Sequence, residues 1–186
     1  MKEYFSKEEL LNHGFSFIGD DVKVSRNCSL YSVSGEIGSG TRIDDFVILK
    51  GAFSIGKKVH ICSHTSLSAV GGKITIKELA GIGVSNIFYT SSDDMLQSGL
   101  CGPLVDKSLT RIKSGDILIE KGAALGGRVT VMPNSYVGKF TAIGISGLIS
   151  GNLEDYSVYM NIDGKLKKIS RRNSEKLERL SKQAFD

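Results

Sequence analysis

The chain has 186 residues, which suits one domain with a terminal extension, and its formal net charge is only +4. Apolar residues make up 40% of it, tryptophan is absent, and 22 glycines favour a thin core with many turns. It has no apolar run of roughly 18 residues, no signal-peptide pattern and no CxxC pair, which argues against a membrane, secreted or disulfide-rich protein and favours a soluble cytoplasmic one.

The N-terminal residues 5–14 are predicted to form a short helix. Ser6 and Glu9, three residues apart, form a possible capping box, and Gly14 can end the helix. Because the terminal repeat of a stacked structure needs a cover, residues 1–17 are assigned to an N-terminal capping segment.

From residue 18 onward an aliphatic or aromatic residue recurs at nearly every sixth position. A period of six fits neither a lone helix nor a free strand, so it indicates an internal repeat. Each six-residue unit is predicted to be a short strand plus a turn, three units form one triangular coil, and about six coils stack into a solenoid. The repeating positions are Ile18, Val24, Leu30, Ile37, Ile43, Leu49, Ile55, Ile61, Leu67, Ile76, Ile82, Phe88, Ile119, Leu125, Val131, Val137, Ile143 and Ile149.

Two further positions of the repeat carry small residues. The residue four places after the aliphatic one is small or β-branched, and we expect it to pack at a crowded corner, as at Thr41, Thr65 and Thr141. Glycine often follows the aliphatic residue directly, where we expect it to supply a positive φ in the turn. These glycines are Gly19, Gly38, Gly56, Gly83, Gly126, Gly138 and Gly144.

Residues 89–116 interrupt the period inside the repeat region, residues 18–154. The interruption is polar and loop-like. A long insertion in the middle of a regular repeat is expected to be functional.

The C-terminal tail, residues 155–186, contains the segment 165–186, which carries the whole positive balance. From Lys165 onward there are eight basic and three acidic residues, whereas the remaining chain has sixteen basic and seventeen acidic ones. Leu177 and Leu180, with Ile169 before them, predict a helix with one apolar stripe. A solvated basic face and a site for a phosphate-rich small ligand both remain open, while nucleic acid is disfavoured because the tail has no known binding motif.

Several segments of the chain resemble the hexapeptide-repeat acyltransferases, and most of all the sugar acetyltransferases of bacterial surface-polysaccharide biosynthesis. The resemblance implies an all-β fold, a left-handed parallel β-helix with a short N-terminal helix, one inserted loop and a C-terminal helix. It covers residues 18 to about 170. It rests on Ile55–Ile61, Gly71–Gly72, Ile82–Gly83, Tyr89–Asp94, Ile117–Gly122, Leu125–Gly127 and Val131–Pro133.

The resemblance also implies a homotrimer that uses acetyl-coenzyme A as the donor and a sugar or nucleotide sugar as the acceptor, with no metal. The donor would lie in the groove between neighbouring subunits. The residues that match the cofactor-binding positions are Gly126, Gly127, Ala142, Gly144, Lys165, Arg171 and Arg172. The glycines are equally consistent with ordinary turns of the repeat.

The tail departs from the family pattern after the last coil. Relatives usually have a Tyr-x-Gly-x-Pro-Ala-Lys-like string, whereas this chain has Asp163 and Gly164 in place of Pro-Ala. An acidic side chain there opposes phosphate binding.

The second departure concerns the catalytic base. Many relatives have a histidine where the insertion begins, but this chain has none there. The resemblance and the available side chains make His60, His64 and Asp93 the candidate catalytic residues. Candidate substrate-binding residues are Tyr89, Ser91, Ser92 and Asp94.

The missing histidine bears on the acceptor. A sugar hydroxyl needs a well-placed base, whereas an amine can be unprotonated near neutral pH. We therefore expect N-acetylation of a nucleotide-linked amino sugar in lipopolysaccharide, O-antigen or capsule biosynthesis. Sugar O-acetylation and a non-catalytic β-helix scaffold are the alternatives.

Overall fold

A computed structural model describes residues 3–96 and 99–185, and the chain is wound into a parallel β-helix with a helix near each end. The predicted fold class is confirmed. Among the described residues no helix is long and apolar enough to cross a membrane. The helices are α1 (Lys7–Asn12) and α2 (Ser174–Gln183), and the strands are β1 (Phe15–Ile18), β2 (Lys23–Val24), β3 (Ser29–Ile37), β4 (Arg42–Ile43), β5 (Ile48–Ile55), β6 (His60–Ile61), β7 (Ser66–Ile76), β8 (Gly81–Ile82), β9 (Ile87–Tyr89), β10 (Ser91–Asp93), β11 (Ile112–Ser114), β12 (Ile117–Ile119), β13 (Ala124–Leu125), β14 (Thr130–Val131), β15 (Tyr136–Val137), β16 (Ala142–Ile143), β17 (Leu148–Ile149), β18 (Asn152–Leu153), β19 (Ser157–Ile162) and β20 (Lys165–Arg171).

The strands form the three faces of a prism. The first face contains β1, the second halves of β3, β5 and β7, and then β12, β15 and β18, all paired in parallel. The second face contains β2, β4, β6, β8, β13, β16 and β19. The third face contains the first halves of β3, β5 and β7, followed by β9, β14 and β17. In the described chain the first two faces each hold seven stacked strands, one more than the six coils predicted, because Leu153 and Tyr159 continue the series beyond Ile149.

The repeating aliphatic residues form the core, as predicted. Ile37, Ile43 and Leu49 are fully buried, and so are their counterparts in the following coils. The small residues four places later are buried as well. The hydroxyl of Thr41 donates to the carbonyl of Gly56 at 2.8 Å, and Thr65 donates to Gly83 at 3.0 Å, so each corner is tied to the next coil.

The role predicted for the repeating glycines is wrong. The positive φ occurs two residues after them, mostly at non-glycine positions such as Lys58, Ser85 and Arg128. At the glycines themselves the next coil passes too close for a side chain, since a Cβ at Gly83 would lie 2.8 Å from the backbone of Gly126. Glycine is required by the spacing of the coils rather than by the turn.

The N-terminal segment covers the first coil, and its capping box is present. The backbone N–H of Ser6 donates to the Glu9 carboxylate at 2.7 Å, and the N–H of Glu9 donates to the Ser6 hydroxyl at 3.2 Å. Leu10 is buried in the core. Arg26 donates to both carboxylate oxygens of Glu9, at 2.6 and 2.7 Å, and so fastens α1 to the first coil.

The insertion is more ordered than the predicted loop. Strands β10 and β11 pair antiparallel, and a 3-10 turn at Lys107–Leu109 lies between them; we call residues 90–116 the arm. The Gly71–Gly72 pair makes room for its base, because a Cβ at Gly71 would lie 2.5 Å from the Ser91 Cβ. The buried Thr90 hydroxyl also accepts a hydrogen bond from the Gly71 N–H at 3.0 Å.

The C-terminal tail is helical only in its last part. Ile169 was expected behind the helical stripe but lies in β20, where it is exposed, because residues 165–171 fold back antiparallel on β19. Helix α2 then runs along the corner between the first and second faces. The hydroxyl of Tyr156 donates to Glu178 at 2.6 Å at one end of this corner, and Lys58 Nζ donates to the Ala184 carbonyl at the other.

Candidate active site

The three corners of the prism differ in what covers them. The first corner, between the first and second faces, lies under α2. The second corner, between the second and third faces, is formed by the turn residues Phe46, His64, Ser85, Arg128 and Ser146, stacked coil on coil. The third corner, between the third and first faces, bears the arm.

A cavity of about 680 Å³ lies between the arm and the coil that follows it. The arm contributes Asp94, Met95 and Ile112, and the solenoid contributes Met132 and Pro133. The cavity therefore combines acidic and apolar walls, a combination typical of sites for small organic ligands.

Two adjacent carboxylates face this cavity. Asp94 is 8% exposed, and its Oδ1 lies 3.2 Å from Lys113 Nζ and accepts the N–H of Leu96 at 3.2 Å. The Oδ2 of Asp93 accepts the N–H of Gly102 at 3.0 Å. A buried carboxylate held by a cation and a backbone donor is a well-oriented acceptor for a ligand amine or hydroxyl.

The other predicted acceptor residues flank the base of the arm. Ser91 and Ser92 pair with Ser114 and Lys113 in the arm hairpin, and Ser92 lines the cavity. Tyr89 ends β9 beside Ser68 and is partly exposed. The structure thus brings the predicted substrate-binding residues and Asp93 together on one side of the prism.

His60 lies elsewhere, on the second face. Its Nε2 is 2.8 Å from Asp44 Oδ2, and Arg42 Nε donates to the other oxygen, Oδ1, at 2.6 Å. Partial burial acts to raise the pKa of Asp44, but the hydrogen bonds from His60 and Arg42 outweigh it and hold that pKa below its ordinary value. Cys62 Sγ is 3.9 Å from each ring nitrogen of His60, and burial raises the pKa of its thiol.

His64 belongs to the second corner. Its φ is +61°, and its ring packs against Phe46 with centroids 5.0 Å apart. Large apolar side chains are exposed at and beside this corner, namely Phe46, Ile48, Val84, Ile145 and Leu148; we call them the apolar corner.

The predicted cofactor residues are only partly grouped. Ala142 lies in the same column of the second face as His60, and Gly126, Gly127 and Gly144 follow at the edge toward the second corner. The close approach that Gly126 permits is made by the Gly144 backbone, since a Cβ would lie 2.9 Å from it. This contact agrees with the alternative interpretation, in which these glycines belong to the repeat itself rather than to a cofactor site.

The three basic residues of the tail are spread apart. Lys165 and Arg171 lie at opposite ends of β20, and Arg172 donates to the Phe140 carbonyl at 2.7 Å at the first corner. They do not form one compact phosphate site in this chain.

Several residues around these sites were not predicted from the sequence. Asp44 and Cys62 occupy the same phase of successive coils, so their eighteen-residue spacing could have paired them. Lys113 could not be found in this way, because the arm has no period that relates it to Asp94.

Within the described residues, a single chain does not bring the carboxylates of the arm cavity, Asp93 and Asp94, close to His60. Among the described residues, the cavity beside Asp94 has no lining residue from the second face, where His60 and Ala142 lie.

No protein-family model matches this chain. The chain is 30% identical over 179 residues to a dTDP-4-amino-4,6-dideoxy-D-glucose acyltransferase of Escherichia coli, covering 94% of this chain and 92% of that protein. The chain belongs to this family of sugar acyltransferases.

Solved structures agree with this assignment. AntD, an N-acyltransferase from Bacillus cereus in complex with dTDP and 3-hydroxybutyryl-CoA, matches with a TM-score of 0.87 and 30% identity, over 99% of this chain and 97% of that one. A hexapeptide-repeat acetyltransferase from Vibrio cholerae matches at 15% identity with a TM-score of 0.60, over 90% of this chain and 77% of that one, and supports the fold alone. The acyltransferase is thus an enzyme, and the non-catalytic scaffold alternative is set aside.

Proposed function

We propose that this acyltransferase moves an acyl group from a coenzyme A thioester to the amine of a dTDP-linked amino sugar of the 4-amino-4,6-dideoxyglucose type. The observation that carries the proposal is the 30% identity, over nearly the whole chain, to the E. coli enzyme that acts on this sugar. The complex of AntD with dTDP and an acyl-CoA supports the same pair of substrates. Such a reaction belongs to the cytoplasmic stage of surface-polysaccharide biosynthesis, including that of lipopolysaccharide.

The acidic cavity of the arm suits the acceptor amine. The Oδ1 of Asp94 contacts both Lys113 Nζ and the Leu96 N–H. We assign Oδ2, together with Asp93, to the amine, which it would hold and orient for attack. The apolar side chains of Met95, Ile112 and Met132 would enclose the reacting groups.

The chemistry requires little proton transfer by the protein. The unprotonated amine attacks the thioester carbonyl, which forms the carbon–nitrogen bond and a tetrahedral oxyanion. Collapse of the oxyanion breaks the carbon–sulfur bond, the proton from the attacking nitrogen passes through solvent to the coenzyme A thiolate, and the products are the amide and free coenzyme A. The proposal does not need His60 as the base, because the attacking amine is already unprotonated. This fits the absence of a histidine from the arm.

We further propose that the active enzyme is a homotrimer. The acceptor residues lie at the third corner, whereas the apolar corner and four of the residues predicted to bind the donor lie at or beside the second, namely Gly126, Gly127, Ala142 and Gly144. A neighbouring copy that docks its apolar corner beside the arm would unite them and bury the exposed side chains. In that groove Gly126, Gly127, Ala142 and Gly144 would face acetyl-coenzyme A or a longer thioester.

The test measures release of free coenzyme A by the purified enzyme. We expect turnover with dTDP-4-amino-4,6-dideoxyglucose and none with the matching sugar that carries a 4-hydroxyl group. Acetyl-CoA and 3-hydroxybutyryl-CoA are compared as donors. Turnover with the hydroxyl sugar alone would instead establish O-acylation.

Substitution of the buried carboxylate tests its role. Asp94→Asn keeps the shape but weakens the hold on the amine, and we expect kcat/KM to fall by roughly 10²-fold. Asp106→Asn is the matched control, because Asp106 also lies in the arm but only caps the 3-10 turn. Equal rates for wild type and Asp94→Asn would contradict the assignment.

A further inference from the structure

We propose that Asp44, His60 and Cys62 form a binding site for a divalent cation of the zinc class on the second face of the β-helix. Their ligand atoms, one carboxylate oxygen, one imidazole nitrogen and one thiol sulfur, all lie within 4.8 Å of one another. This inference departs from the metal-free site expected from the sequence, and it does not depend on the proposed acceptor.

The backbone of the solenoid holds the three residues in place. Asp44 directly follows β4 and Cys62 directly follows β6, so they occupy the same position in adjacent coils. The N–H of Asp44 donates to the Ile61 carbonyl at 3.0 Å, and the N–H of Cys62 donates to Ile82 at 2.9 Å. The ligands therefore lie on a rigid parallel ladder rather than on a flexible loop.

Arg42 orients the carboxylate toward the other ligands. The Arg42 Nε–H donates a hydrogen bond to Asp44 Oδ1 at 2.6 Å. This leaves Oδ2 facing His60 Nε2, at 2.8 Å. The third ligand atom is Cys62 Sγ, which lies 3.9 Å from His60 Nε2. A hydrogen bond from an outer residue to a ligating carboxylate is a regular feature of metal sites.

The donor set selects the kind of metal. One nitrogen, one sulfur and one oxygen suit Zn²⁺ or Co²⁺, whereas Mg²⁺ and Ca²⁺ prefer oxygen ligands alone. The thiolate and the carboxylate together balance the charge of the cation. Three protein ligands would leave one position open, and the half-exposed His60 ring gives the ion a route from solvent.

The primary test is spectroscopic. Protein stripped of metal with a chelator is titrated with Co²⁺, and we expect a thiolate-to-cobalt charge-transfer band at one equivalent that Zn²⁺ abolishes. Cys62→Ser should remove the band. His60→Gln and Asp44→Asn should weaken Zn²⁺ binding, measured by calorimetry, beyond the roughly 10- to 100-fold cost of losing an outer-shell partner.

Cys101→Ser is the matched control, because Cys101 is an exposed cysteine of the arm and should leave the band intact. A second measurement needs no variant: Zn²⁺ should slow alkylation of Cys62 in the wild-type protein, read by peptide mass spectrometry, without slowing that of Cys101. No band in the wild type, a band that survives Cys62→Ser, or equal alkylation of Cys62 with and without Zn²⁺ would each overturn the site.

Discussion

Two glycines of the second face show how strongly single positions are constrained by the coil above them. A Cβ at Gly83 would lie 2.8 Å from the backbone of Gly126, whereas a Cβ at Gly81 would meet nothing within 4 Å. Both residues are adjacent to Ile82 in the chain and have a φ outside the left-handed region. The difference between them is therefore one of space alone.

This difference gives a prediction about stability. Gly83→Ala forces two coils apart, and we expect it to lower the free energy of unfolding by about 1–3 kcal/mol. Gly81→Ala should be neutral or slightly stabilising, because alanine restricts the unfolded chain more than glycine does. Urea denaturation of both variants under identical conditions measures the two effects, and equal destabilisation would contradict the explanation.

Single residues also explain why the arm leaves the solenoid where it does. The Gly71–Gly72 pair accepts the base of the arm, and Lys73 N–H donates to Asp116 Oδ1 at 2.8 Å to close it. The double glycine was visible in the sequence, but its partner Asp116 lies at the far end of the insertion.

At the level of the element, the ion pair between Arg26 and Glu9, which helps to hold the N-terminal cap, responds to pH. The hydrogen bond from Arg26, together with that from the Ser6 backbone, lowers the pKa of Glu9 from 4.5 to about 2. Since the folded pKa lies below the unfolded one, the stabilisation is present above pH 4.5 and is lost as the pH falls toward 2.

We therefore expect Glu9→Gln to lower the melting temperature at pH 7 and to matter less at pH 3. Glutamine keeps an oxygen for the capping box but loses the charge facing Arg26. The measurement is the difference in melting temperature between wild type and variant at each pH. Glu8→Gln, in the same helical turn, is the control. If the difference in melting temperature between wild type and Glu9→Gln is as large at pH 3 as at pH 7, the mechanism is refuted.

At the level of the whole molecule, the proposed homotrimer depends on the apolar corner. Ile145 is 66% exposed and Val84 is 50% exposed, although both lie beside a regular buried core. Exposed apolar side chains that cluster on one edge mark an interaction surface. In the proposed homotrimer the arm, at a different corner, would reach the neighbouring copy.

The proposed assembly can be broken by one charge. Ile145→Glu should yield a monomer and lower the rate of coenzyme A release by roughly 10²-fold, because a carboxylate cannot be buried unpaired and the groove comes apart. Leu180→Glu on α2 is the control, since α2 covers a different corner. Sedimentation measures the mass, and a trimeric, active Ile145→Glu enzyme would contradict the proposed interface.

The sequence determined the solenoid, because a period of six is a local property that can be counted along the chain and each aliphatic position has the same buried surroundings. It also located the capping box, the arm and the acidic residues of the cavity. It did not predict why the repeat glycines are glycine, since that depends on the distance between coils.

Only the tertiary structure decided which side chains meet. Asp94 pairs with Lys113 because an irregular insertion folds back as a hairpin, and Asp44 meets His60 and Cys62 because stacking sets one coil beside the next. The same geometry separates the cavity beside Asp94 from the second face that holds His60. A linear pattern cannot express this separation, because corners exist only after the chain has turned.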